Sequence, residues 1–194
     1  MTTSPDATDP APPADAPFVA IDFETADHGA DSACALALVR VEGVRIVERA
    51  LLMIRPPRKP WGGAHFTFTY IHNITWAHVA AEPTFAEHWP RIEEFLRGAA
   101  FLAAHNASFD RGVLEACCRA AGVAPPAHDY RCTVHLARRA WQLRPANLPA
   151  VCRHLAIELN HHDPASDAEA CARIVIAARE EGLELGPPLR RSKR

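Results

Sequence analysis

The run Phe18-Val19-Ala20-Ile21-Asp22-Phe23 is apolar except for one aspartate. A short apolar run of this kind reads as a buried strand. An aspartate inside such a strand is costly unless it is paired or bound to a metal. Glu24 follows two residues on, and the period of a strand sets both carboxylates on one face. Two converging carboxylates repel. A divalent cation is the common remedy, and hard oxygen ligands suit Mg²⁺ or Mn²⁺. Taken alone the pair has little weight in a chain with 23 acidic residues, because a D-x-E match then arises by chance about half the time.

The 194 residues, 48% hydrophobic and 23% charged, are enough for one domain with a real core. No apolar run approaches the roughly 18 to 20 residues that span a membrane. The net charge of −2 argues against a broad basic face coating nucleic acid and leaves room only for a local grip. Six cysteines are present without a CxxC pair. They are expected to be reduced, buried thiols in a cytoplasmic protein. Residues 1–17, proline-rich and without an apolar segment, are expected to be a disordered tail and not a signal peptide. Residues 186–194 are expected to be a basic C-terminal tail, leaving 18–185 as the domain.

Within that domain the pattern is strand-first. Strands are predicted over 18–23, 33–41 and 45–54, the last two joined at the turn Glu42-Gly43. Tight connections imply an antiparallel meander. Residues 56–83 read as a long loop with a short helical piece. Thr84-Phe85-Ala86-Glu87 is a capping box opening a helix that ends near Gly98. A strand over 99–104 and a helix over 108–121, stopped by Gly122, come next. A strand near 131–134 and two short helices lead to Ser166-Asp167-Ala168-Glu169, a second capping box opening a helix to about Glu181. This order implies an α/β domain: a mixed sheet flanked by helices.

Two further acids attract notice. Asp110, after His105-Asn106-Ala107-Ser108-Phe109, falls in a helix's first turn, and Asp167 does the same in the final helix. The helix macrodipole alone would favour an acid at either place. His162 precedes Asp167 by five residues, a spacing His105 and Asp110 share.

Taken together these segments resemble the DEDDh 3′–5′ exonucleases, the superfamily of the proofreading epsilon subunit of bacterial DNA polymerase III and of RNase T. The likeness lies in FVAIDFETAD at 18–27, AHNASFDRGVL at 104–114 and HHDPASDAEACARI at 161–174, with support from IHNIT at 71–75, PTF at 83–85 and CTVHLARR at 132–139. It implies a ribonuclease H-like fold and two divalent metal ions, Mg²⁺ or Mn²⁺, held by Asp22, Glu24, Asp110 and Asp167, with Asp22 the bridge. His162 would be the general base. Two metals about 4 Å apart suit an anionic phosphodiester that resists attack. The likeness also places Thr25 and Ala26 at the terminal nucleotide's sugar, and His105 and Asn106 near the site, where either binds substrate or orients backbone. Phe109 is a candidate for stacking on a base or for helix-entry packing, and His72 for a structural role. Pro164 and Ala165-Ser166 depart from the apolar residue common in the family but remove no ligand. The expected substrates are single-stranded or frayed DNA ends. RNA ends, or a silent polymerase-associated module on the same fold, are the alternatives, and a DNA polymerase is a candidate partner.

Overall fold

The computed structural model describes residues 13, 15–60 and 65–189. Most of the expected N-terminal tail, and residues 190–194 of the basic end, lie outside the described residues. Strands β1 (Phe18–Thr25), β2 (Ala33–Glu42) and β3 (Arg45–Met53) form the antiparallel meander. Helices α1 (Thr69–His72), α2 (Trp76–Val79) and α3 (Phe85–Leu96) follow. Strand β4 (Phe101–Ala104), helix α4 (Ser108–Ala121) and strand β5 (Asp129–Cys132) continue the sheet. Helices α5 (Thr133–Ala140), α6 (Leu148–His154) and α7 (Pro164–Glu180) complete the chain. The sheet order is β3-β2-β1-β4-β5, with β4 parallel to β1 and β5 parallel to β4. The mixed sheet flanked by helices is the α/β architecture that the element order implies.

Alternation along β1 sorts the core into two layers. Val19, Ile21 and Phe23 face Ile92, Phe95 and Leu96 of α3 and Val113 and Leu114 of α4. Phe18 and Ala20 face the other layer, with Ala168, Cys171, Ala172 and Val175 of α7. Small residues on α7 let it lie close to the sheet. Asp22 and Glu24 continue the α7 face of β1, so the strand's buried stripe turns acidic at its end. Across from them on β2 stand Ala37 and Ala35, which leave the carboxylates room.

The helix signals hold in part. Thr84 does cap α3: its Oγ1 accepts from Glu87 N at 3.4 Å, and Glu87 Oε2 accepts from Thr84 N at 2.7 Å. The final helix starts earlier than its predicted box. Its cap is Asp163, whose Oδ1 accepts from Ser166 N at 2.9 Å, with Pro164 at the first position. Proline is pre-set for that position and aspartate is a strong cap, so the pair outcompetes Ser166. Ser166 Oγ instead accepts from Asn160 N at 2.8 Å, and Glu169 pairs with Arg49 and Arg173. The fourth strand begins at Phe101 and not Ala99. The fifth lies at 129–132, because Thr133 and Val134 already belong to α5. The 56–83 segment carries two short helices. All six cysteines are buried and unpaired. Among the described residues no helix is long and apolar enough to cross a membrane.

Candidate active site

The site forms where β1 outruns β4. Their pairing stops at Ala20 and Ala103, so the last residues of β1 project beyond the shorter strand. Asp110 fills the gap. It lies in the first turn of α4, 2% exposed, and its Oδ1 accepts from Phe23 N at 3.1 Å. The carboxylate thus takes a strand amide that β4 no longer reaches, next to Asp22.

Asp167 comes in from the first turn of α7, 5% exposed. Its Oδ2 accepts from His162 N at 3.2 Å and pairs with His161 Nδ1 at 3.0 Å. Its Oδ1 is buried and has no partner among the described residues. An orphaned buried carboxylate oxygen is rare and asks for a ligand.

The electrostatics bind the four acids into one unit. Burial raises Asp22 well above the usual carboxylate range, and the charges of Asp110, Asp167 and Glu24 raise it further. Burial, then Asp167 and Asp110, lifts Glu24 to about 8. Burial lifts Asp110 to about 7 against the opposing pull of the Phe23 amide. Asp167 is also raised by burial, with the His162 amide and His161 pulling the other way. No arginine or lysine among the described ion pairs neutralises any of the four. Largely buried oxygen donors, mutual repulsion and one orphaned oxygen are the donor set that a hard divalent cation satisfies. The residues present therefore fit the metal ions the sequence implies.

His162 stands beside this cluster on the loop before α7, exposed, with φ of 70°. Desolvation and His161 lower its pKa, with Asp167 opposing. Its ring stacks on His161, centroids 3.8 Å apart. Sequence reasoning singled out His162 and passed over His161. The signal available was the His-His doublet before the Asp-Pro cap.

The remaining candidates separate. Phe109 is 46% exposed, immediately before Asp110, so its ring is not core packing. Asn106 is exposed, with φ of 66°, and its Oδ1 accepts from Ser108 Oγ at 3.3 Å. His105 is half-buried. Its Nδ1 bonds Thr133 Oγ1 at 2.8 Å, tying the end of β4 to the start of α5, and burial pushes its pKa down to about 4. Thr25 and Ala26 are buried, and Ala26 packs with Phe66, Ile74 and Val79. His72 is a strap. Its Nδ1 accepts from Ile74 N at 3.0 Å, which leaves the protonated Nε2 to donate to Thr25 O at 3.2 Å.

A mixed sheet with acids converging at the end of its central strand, joined by acids from the first turns of two helices, defines a nuclease domain of ribonuclease H-like fold. Residues 19–175 match the RNase T exonuclease family. The chain belongs to that family, within the DEDDh 3′–5′ exonuclease superfamily. It is 30% identical over 173 residues to the PolC-type DNA polymerase III of Bacillus cereus, covering 87% of this chain and 12% of that protein. The chain thus spans a small part of the curated relative it matches. Among solved structures it resembles exonuclease X in complex with 5′ overhanging duplex DNA, at 26% identity and a TM-score of 0.68, covering 87% of this chain and 95% of that one. It also shares the fold of the nuclease domain of 3′hExo, a DEDDh family member bound to rAMP. That match has 16% identity and a TM-score of 0.74 over 92% and 98% of the two chains.

Proposed function

We propose that this chain is a divalent-metal-dependent 3′–5′ exonuclease that releases nucleoside monophosphates from single-stranded or frayed DNA ends. The observation that carries this reading is the convergence of Asp22, Glu24, Asp110 and Asp167 with no arginine or lysine partner among the described residues, beside an exposed histidine. These four would hold two Mg²⁺ or Mn²⁺ ions, with Asp22 the shared ligand. When bound, such ions supply charge neutralisation at the phosphate and a more acidic water.

The chain's own residues do the rest. His162 takes the proton from the attacking water. The water oxygen bonds to phosphorus as the bond to the 3′ oxygen breaks, and that oxygen takes a proton from solvent to leave a 3′ hydroxyl on the shortened strand. A lowered pKa keeps the imidazole neutral near pH 7, the form a general base needs. The bond from its backbone N–H to Asp167 holds it at the cluster's edge. Phe109 offers a stacking face for a base, which is sequence-tolerant. Asn106, exposed, is the candidate to meet the terminal nucleotide, while His105, Thr25 and Ala26 support that end of the sheet from within. DNA is favoured over RNA by two relatives, a DNA polymerase at 30% identity and a nuclease in complex with duplex DNA at 26%. The same polymerase relative supports action beside a polymerase.

The test is a 5′-labelled single-stranded DNA and its RNA counterpart, each incubated with Mg²⁺ or Mn²⁺. The expected result is a ladder shortening from the 3′ end, faster on DNA, absent in EDTA and lost in Asp22→Asn and His162→Ala. No cleavage of either polymer by the intact chain refutes the reading.

A further inference from the structure

We propose that His161, His162 and Asp167 form a second metal site, selective for a late first-row cation such as Zn²⁺, which disables the carboxylate centre when filled. The site stands on its own geometry; its effect on hydrolysis rests on the function proposed above.

The ligand atoms of the three residues lie within 4.8 Å of one another. Ligands in a tetrahedral zinc site stand about 3.4 Å apart, so no pair has to close by more than about 1.4 Å. One pair, His161 Nδ1 and Asp167 Oδ2 at 3.0 Å, is already that close. Both imidazoles are exposed.

The backbone builds this cluster. Neighbouring side chains in extended chain diverge, yet here the two rings lie together, 3.8 Å apart and 22° from parallel. The cause is His162, held at φ of 70° in the left-handed region that a residue with a Cβ rarely adopts. Three bonds fix the loop: His162 N to Asp167 Oδ2, Asn160 N to Ser166 Oγ and Asp163 N to Asn160 O. Strain of this kind persists where the surroundings over-determine it, and it concentrates at functional positions.

Two unfilled groups point to a ligand. Asp167 Oδ1 is buried without a partner among the described residues. Among the described residues the ring nitrogens of His162 have no hydrogen-bond partner either. Two imidazole nitrogens and one carboxylate suit Zn²⁺, Co²⁺ or Ni²⁺, whereas Mg²⁺ keeps to oxygen and water. Three protein ligands leave the fourth position to water. A filled site occupies the lone pair with which His162 would accept a proton, and it draws Asp167 away from the other acids.

The experiment is calorimetric titration of the whole chain with ZnCl₂, and with CoCl₂ followed by visible absorption, both in excess Mg²⁺. The expected result is one equivalent bound, with a tetrahedral Co²⁺ spectrum. Asp22→Asn, which breaks the carboxylate centre alone, should retain it. His161→Ala should weaken it at least about tenfold, the lower end of what even an indirect metal partner contributes. His161 is exposed, and a thermal melt verifies that the variant is folded. Zinc should inhibit Mg²⁺-dependent cleavage at lower concentration in the unaltered chain than in His161→Ala. Zinc binding unchanged in His161→Ala, or lost in Asp22→Asn, overturns the proposal. Binding that depends on His161 sustains the site even if the chain cleaves no nucleic acid.

Discussion

Asp110→Asn should make the metal-free protein more stable, although Asp110 stands at the centre of the proposed site. The reasoning starts from its pKa, lifted by burial from the ordinary 3.8 to about 7. A raised folded-state value means that the folded chain holds the proton more tightly than the unfolded one. The stabilising effect is complete below pH 3.8 and disappears as pH rises through 7. Above that the fold carries a buried, unneutralised charge. At 1.36 kcal/mol per unit the cost at pH 8 is on the order of 4 kcal/mol, and at pH 5 less than half of that. Asparagine removes the charge, and its Oδ1 can still accept from Phe23 N. For a domain of this size each kcal/mol moves Tm by roughly 2–4 °C. Calorimetry in EDTA should therefore show the variant melting about 8–16 °C higher at pH 8 and less than half that higher at pH 5. Saturating Mn²⁺ should narrow that gap at pH 8, since a ligand at 100 times its Kd adds about 2.7 kcal/mol to the form that binds it. A variant that melts below the unaltered chain in EDTA at pH 8 would refute the argument. So would an equal gain from Mn²⁺ in both proteins.

Three further outcomes test other parts of the molecule. Phe109→Ala should leave Tm unchanged, because the ring is 46% exposed. It should weaken binding of single-stranded DNA by about 1–3 kcal/mol, read as a rise in KM, if the ring stacks on a base. Thr84→Ala breaks the reciprocal cap of α3 and should cost about 0.5–2 kcal/mol by denaturant melt, with catalytic rate unaltered. Binding of a single-stranded oligonucleotide to the Asp22→Asn protein should weaken with salt, with a log–log slope of about −0.7 per phosphate contacted. A slope near zero would rule out phosphate contacts.

What the sequence disclosed, and what it withheld, follows from range. Asp22 and Glu24 were legible because strand period is local, and Thr84-Glu87 because a capping box spans one turn. The start of α7 was misjudged for a local reason too. Asp163-Pro164 and Ser166-Glu169 both signal a helix start, and only proline's fixed φ decides between them. Convergence was another matter. That Asp110 meets β1, accepting from the Phe23 amide 87 residues away, depends on β4 ending at Ala104. No local pattern encodes that meeting; only the resemblance to a family foretold it. His161 escaped notice because adjacent side chains ordinarily diverge, and the left-handed turn at His162 that reunites them has no sequence mark when the residue is not glycine or asparagine. The same turn gives Asp167 both of its contacts, the His161 ring and the His162 amide. One backbone angle thus sets the position of the proposed base and the orientation of a proposed metal ligand together. A substitution that relaxes that angle should therefore disturb both at once.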